Sequence, residues 1–318
     1  MSLFWPDNAG PHADYLQQIL AHGDFPGRDQ LPPAWLAQWQ TVWANIAADI
    51  AARKQLHGAF IIGIHGGQGS GKSTLSKALA AVFRHAFGWN VVVVSIDDLY
   101  LPHASRQQLA ATQHRLFATR GVPGTHDAAL GEQLFRQLKT LPAGSQLSFP
   151  AFDKASDDRL SGEHWHQVQG PVDLVLFEGW CVGCKAVPPE QLSTPVNELE
   201  KTEDPDGRWR HEVNRQLADD YARWFAAIDY LLMLRVPDMQ AVLNWRSEQE
   251  LGNQKNAVAN SPDRSMDNAA LQRFIQHYQR LTEQALRDMP QWADVILTLN
   301  HQHQVDAIAL KPAEGGAI

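Results

Sequence analysis

Five short apolar runs punctuate the chain: AFIIGI at 59–64, NVVVVSI at 90–96, DLVLFEG at 173–179, YLLMLRV at 230–236 and DVILTLN at 294–300. Each is a continuous stretch rather than an alternation, the pattern of strands buried on both faces. Helical periodicity separates several of them. In SKALAAVFRHAFG, residues 76–88, Leu79, Val82, Phe83 and Phe87 share one face and Gly88 supplies a stop. Strands alternating with helices predict right-handed crossovers, hence an α/β fold with a mainly parallel sheet in a three-layer α/β/α sandwich. Upstream, Pro33 suits the first turn of a helix. Trp35, Trp39, Val42, Trp43, Ile46 and Ile50 then recur at spacings of three and four. Residues 1–57 are therefore expected to form a helical extension packed on the core or on a second copy. Residues 58–310 form the main domain. Within it the polar, proline-containing stretch 184–215 reads as an insertion or flap, and 311–318 as a flexible tail.

Composition narrows the function classes. The apolar fraction of 44% and charged fraction of 19% are those of an ordinary globular protein. A net charge of −8 argues against a general nucleic-acid or anionic-membrane surface. No run approaches the length of a membrane span, and MSLFWPDNAGPHADYL lacks the basic and apolar regions of a secretory leader. Cys181 and Cys184 are the only cysteines, so a cytoplasmic location is expected. Their CxxC spacing lacks the second ligand pair of a zinc site, and its flanks resemble a strand edge rather than a reactive helix N-terminus.

The most specific signal is GGQGSGKST, residues 66–74, which satisfies G-x-x-x-x-G-K-[ST] after a strand and before a helix. Gly66, Gly67, Gln68, Gly69, Ser70, Gly71, Lys72, Ser73 and Thr74 are thus the expected nucleotide site. Glycines let successive N–H groups curl inward around phosphate oxygens, and the following helix adds its positive end. Lys72 is placed to reach the β- and γ-phosphates and Ser73 to hold Mg²⁺. No N/TKxD base-reading motif and no LSGGQ signature occurs.

Acidic residues end two other strands, where ligands of open α/β sheets bind. SIDDLYL carries Asp97 and Asp98, of which one is expected to face the phosphate. Asp97 is the candidate catalytic residue, orienting an acceptor hydroxyl or taking its proton. Asp98 is a candidate for the metal, and either could instead cap a turn. Glu178 follows four apolar residues and is a second metal candidate, with satisfaction by backbone N–H groups as the alternative.

With these residues in view, the chain resembles the phosphoribulokinase, uridine kinase and pantothenate kinase superfamily of P-loop small-molecule kinases. RGVPGTHD at 120–127, FDKASDDR at 152–159, FEGWCVG at 177–183, NELEKTEDPDGRWRHEVNRQL at 197–217 and NWRSEQE at 244–250 resemble the D-glycerate 3-kinase type within it. That resemblance implies ATP and Mg²⁺ as cofactors, and transfer of phosphate to the 3-hydroxyl of D-glycerate as the small-molecule acceptor. It also implies acceptor contacts from His126 and Asp127, although Asp127 could be a helix N-cap. A carboxylate acceptor needs a cation, and Lys154 and Arg159 are the expected pair. Arg246 is expected as a lid arginine on the phosphates, or else as an ion pair with Glu250. Other readings stay open: a different acceptor (pantothenate, a nucleoside or a sugar phosphate), or a regulatory or metallochaperone NTPase using the CxxC.

Overall fold

The computed structural model describes residues 27, 31–54, 58–256 and 268–311. In chain order the elements begin with α1 (Pro33–Ala37), a π turn (Trp39–Trp43), α2 (Ala44–Arg53), β1 (Phe60–Gly66) and α3 (Lys72–Phe87). Next come β2 (Val91–Ser95), a 3-10 turn (Ile96–Leu99), α4 (His103–Thr112), α5 (Ala128–Thr140), β3 (Gln146–Phe149), β4 (Phe152–Asp153), β5 (Asp158–Arg159) and β6 (His166–Gln169). The chain continues through β7 (Leu174–Gly179), α6 (Glu198–Glu203), α7 (Arg208–Ala218), α8 (Asp220–Phe225) and β8 (Tyr230–Arg235). It ends with α9 (Met239–Asn256), α10 (Asn268–Asp288), β9 (Val295–Leu299) and β10 (Val305–Leu310).

All five apolar runs are strands of one six-stranded sheet, in the order β10-β9-β8-β1-β7-β2. The pairs β1–β7, β1–β8, β2–β7 and β8–β9 are parallel, and β10 closes the edge antiparallel to β9. Both sheet faces are apolar because each strand alternates between two apolar sets. Ile62, Ile64, Leu174, Leu176, Leu232 and Leu234 face one helical layer. Ile61, Val92, Val94, Val175, Phe177 and Met233 face the other. The strand β7 lies between β1 and β2, so the first two strands of the main domain are not neighbours. The register sets Glu178 opposite both Ile64 and Ser95. The carboxyl ends of β1, β7 and β2 therefore finish together, which is where such sheets form a ligand crevice.

The tryptophan-rich helix shares this core. Trp35 stacks on Trp43 with ring centroids 4.5 Å apart. Ile46 and Ile50 join Leu79 and Phe83 of α3 in one buried cluster. The π turn interrupts the predicted single helix, yet Trp39, Val42 and Trp43 still face inward. Residues 1–26, 28–30 and 55–57 of the expected extension, and 312–318 of the expected tail, lie outside the described residues.

The stretch 184–215 is not a loose polar flap over the described residues. Asn197 caps α6, accepting from Glu200 N at 3.0 Å, and Leu199 and Trp209 are buried. Three of its charged residues, Glu200, Asp204 and Arg210, are internal. Glu200 is buried and takes two bonds from Arg280 of α10, at 2.7 and 2.6 Å. Asp204 is buried and accepts from Trp209 N at 2.8 Å and Arg210 Nη1 at 2.9 Å. Composition alone does not separate such a self-paired insert from a solvated loop. Two small hairpins, β3–β6 and β4–β5, and the antiparallel β10 also lie beyond the predicted strands. No helix among the described residues is long and apolar enough to cross a membrane.

Candidate active site

The phosphate loop runs from the end of β1 into α3. Gly69 and Gly71 take left-handed conformations, φ +79° and +89°. At Gly69 a Cβ would lie 2.5 Å from Trp245 Cβ of α9, so glycine is required there twice over, by conformation and by contact. The unpaired N–H groups that begin α3 open into this loop. Lys72 curls back and donates to Gly67 O at 3.0 Å. Burial holds its ammonium below the ordinary lysine value, against the opposing pull of Glu178 and Asp97.

Acidic residues meet this loop from the neighbouring strands. Ser73 Oγ donates to Glu178 Oε1 at 2.7 Å, a pairing that the register of β7 makes possible. Ser95 ends β2 and caps the 3-10 turn through Asp97 N at 3.3 Å. Asp97 receives Lys154 Nζ at 2.6 Å. Burial alone would raise the Asp97 carboxyl, but the Lys154 ammonium outweighs it and holds the group below the usual carboxylate value. Lys72, Ser73, Asp97, Lys154, Glu178 and Arg246 all line one cavity of about 270 Å³. Gln68, Tyr100, Arg120, Trp180, Phe274 and Tyr278 complete much of its wall. The lining holds four cations (Lys72, Arg120, Lys154, Arg246) against two carboxylates (Asp97, Glu178), a balance suited to polyanionic ligands.

Other predicted site residues are placed elsewhere. Asp98 turns away from this cavity to the small hairpins, accepting from Phe152 N at 3.4 Å and pairing with His166 Nε2 at 3.3 Å. It instead lines a neighbouring cavity of about 680 Å³, which Ser73, Asp97 and Glu178 also border. Asp127 is the N-cap of α5, accepting from Leu130 N at 3.1 Å, and it also pairs with Arg159 at 3.1 Å. Arg159 donates further to Tyr100 O at 2.6 Å. Neither residue lines the cavity; both are tied to α5 and Tyr100 beside its wall. His126 is buried behind Tyr100, stacked on that ring at 4.3 Å. It shares a 2.6 Å hydrogen bond with the Tyr221 hydroxyl. Burial lowers its pKa to about 3, so it is a neutral support for Tyr100.

The run FDKASDDR is a built turn. Asp153 accepts from Ala155 N at 2.9 Å and Ser156 N at 3.0 Å. Asp157 has φ +59°, a strained choice for a non-glycine residue. It is held by fully buried Arg106 at 3.0 Å and by Arg120. Asp158 accepts from His103 N at 2.9 Å. The turn presents Lys154 to Asp97. Arg246 lies at the cavity on α9, with its guanidinium 5.9 Å from the Phe274 ring centroid. The side chain of Glu250, its alternative partner, is outside those described. Cys181 and Cys184 are buried thiols, and burial pushes both above the ordinary cysteine value, the reverse of a reactive or metal-binding pair.

Tyr100, Arg120, Trp180, Phe274 and Tyr278 were not among the predicted site residues. The first three sit inside the SIDDLYL, RGVPGTHD and EGW motifs; for Tyr100 and Trp180 closeness to a strand end was the available signal, whereas Arg120 lies in a loop between helices. Phe274 and Tyr278 come from α10, far along the chain, and nothing local marks them.

The chain is similar to known proteins. The model of the phosphoribulokinase / uridine kinase family matches residues 61–184. The uncharacterized kinase mug58 of Schizosaccharomyces pombe is 32% identical over 258 residues, covering 76% of this chain and 83% of that protein. The chloroplastic D-glycerate 3-kinase of Arabidopsis thaliana is 27% identical over 241 residues, covering 74% of this chain and 50% of that protein. Among solved structures, D-glycerate 3-kinase from Cryptococcus neoformans shares the fold with a TM-score of 0.66 at 20% identity, covering 96% of this chain and all of that one. A phosphate loop with a serine–glutamate pair, an aspartate facing it across one cavity, and this likeness in sequence place the chain in the phosphoribulokinase / uridine kinase family of P-loop small-molecule kinases.

Proposed function

We propose that the protein phosphorylates the 3-hydroxyl of D-glycerate with ATP, giving 3-phosphoglycerate and ADP. The observation that carries this reading is the single cavity in which Asp97 faces Lys72, Ser73 and Glu178. The named D-glycerate 3-kinase relatives support the acceptor.

The chain's own groups divide the work. The phosphate loop and Lys72 hold the triphosphate, and Arg246 adds charge where the transferring group becomes more anionic. Asp97 accepts a hydrogen bond from the acceptor hydroxyl and aims its oxygen in line. Because its carboxyl is held low by Lys154, its role is orientation more than strong basicity, which suits a loose transition state. Lys154 fixes the Asp97 carboxylate until the acceptor arrives. Ser73 and Glu178, 2.7 Å apart, fit a magnesium ion, which takes few protein ligands and keeps waters and phosphate oxygens. When bound, it neutralises charge on the phosphate oxygens. Trp180 and Phe274 close the cavity wall against water.

ADP release over a panel of acceptors tests the proposal. Strong stimulation by D-glycerate, and little by pantothenate, nucleosides or sugar phosphates, is the expected result. Stimulation by one of the others alone, or acceptor-independent hydrolysis, would reject it.

A further inference from the structure

Resting on the kinase reading above, we propose that Arg120 is the residue that anchors the acceptor's carboxylate. The other three cations that line the cavity, and Arg159 behind its wall, have different occupations. Lys72 belongs to the phosphate loop, and Arg246 stands beside that loop because Trp245 packs against Gly69. Lys154 is paired with Asp97 at 2.6 Å. Arg159 is engaged by Tyr100 O and Asp127 and does not line the cavity. Arg120 does line it, on the wall shared with Tyr100 and Tyr278.

Its setting is that of a preorganised ligand-binding group. The backbone carbonyls of Arg120 and the next residue are fixed by buried aromatic donors. Tyr278 Oη donates to Arg120 O at 3.1 Å, and Trp180 Nε1 donates to Gly121 O at 3.0 Å. Gly121 has φ +141°, and a Cβ there would fall 2.2 Å from the Tyr278 hydroxyl, so glycine is what lets this tyrosine reach the backbone. One edge of the guanidinium is held by Asp157, whose own left-handed conformation is secured by Arg106. The plane lies over the Phe152 ring, 5.6 Å from its centroid. Nη1 is thus engaged, and the remaining nitrogens of the fork have no protein partner among the described residues. A planar fork with open donors in a half-buried cavity matches a carboxylate with two parallel bonds. D-Glycerate holds its carboxylate two carbons from the 3-hydroxyl, so one small cavity must meet both ends. Asp97 and Arg120 line the same one.

The test is steady-state kinetics of Arg120→Met and Arg120→Lys with D-glycerate and with glycerol, which lacks the carboxylate. Arg120→Met should raise the D-glycerate KM about 100-fold or more, with the ATP KM within about threefold and the preference over glycerol lost. Arg120→Lys keeps a charge beside Asp157 for folding and should fall in between. Added guanidinium should restore part of the activity of Arg120→Ala. An unchanged D-glycerate KM in Arg120→Met overturns the assignment. So does an equal loss for D-glycerate and glycerol with a raised ATP KM, the mark of a brace alone. Should Arg120→Met fail to fold, Arg120→Lys with the D-glycerate affinity of wild type overturns it as well. The two proposals fail separately. If wild type ignores D-glycerate but uses another hydroxy acid in an Arg120-dependent way, the acceptor reading falls and this one stands. If it uses only uncharged alcohols, both fall.

Discussion

In the phosphate loop the cation leans on the backbone: Lys72 donates to Gly67 O at 3.0 Å, and the loop's shape is set by glycines within a few residues of one another. In the turn at residues 153–158 the charges lean on side chains and backbone from distant segments. Asp157 is gripped by Arg106 and Arg120, and His103 N reaches Asp158. Arg159, just beyond, is tied to Asp127 and to Tyr100 O. One region is a local device that any matching sequence would build. The other is held only by what folds against it, and its purpose, presenting Lys154 to Asp97, is invisible from within.

The strongest way to break this comparison is at Lys72. Lys72→Ala should lower kcat/KM by about a thousandfold or more, because the loop has no side chain to replace it; a loss under tenfold would show that the backbone cradle suffices. Next, Lys154→Ala should reduce turnover by about tenfold to a hundredfold, while Asp97→Asn costs about a hundredfold or more. In both, the ATP KM should stay within a few-fold. The double variant should be no worse than Asp97→Asn alone if Lys154 acts through Asp97, and additive losses would separate them.

A smaller effect distinguishes bracing from binding. Arg159→Ala should leave kcat and both KM values within about threefold. Because it strips donors from Tyr100 O and Asp127, it should lower stability by about 1–3 kcal/mol in chemical denaturation. A large rise in the acceptor KM would return Arg159 to the site. The smallest expected effect lies at the Asp98–His166 pair. The hydrogen bond to Asp98 raises the His166 pKa, which burial only partly opposes. A raised folded pKa stabilises fully below the unfolded histidine value, and that gain disappears as pH climbs through the folded one. The stability gap between wild type and His166→Gln should therefore be present at about pH 6 and gone by about pH 9. A gap independent of pH would show that ring packing on Phe149, not charge, holds this hairpin.

What could be read from the chain differs in kind between these regions. The five strands were legible because burial on both faces leaves continuous apolar runs. β10 and the small strands QLSF and HQVQ were not, because they are partly exposed and so lack a continuous apolar run. Asp97 and Glu178 were legible because strand ends in this architecture point at the ligand. The partners of their neighbour Asp98 were not legible, since His166 and Phe152 N reach it from the distant small strands while Lys154 takes Asp97. The insert at 184–215 read only as an insertion or flap because some of its polar residues find partners about 80 positions away, as Glu200 does with Arg280.

By itself the sequence determined the phosphate loop, the alternation that makes a parallel sheet, and the acidic residues at strand ends, because each depends on neighbours within a turn or a strand. Tertiary structure alone decided which cation meets which partner. A charged side chain carries no record of its partner. Only the packing of α10 against the RGVPGTHD segment, and of the FDKASDDR turn against Arg106, directs Lys154 to Asp97, turns Arg159 into a brace, and leaves Arg120 with open donors on the cavity wall.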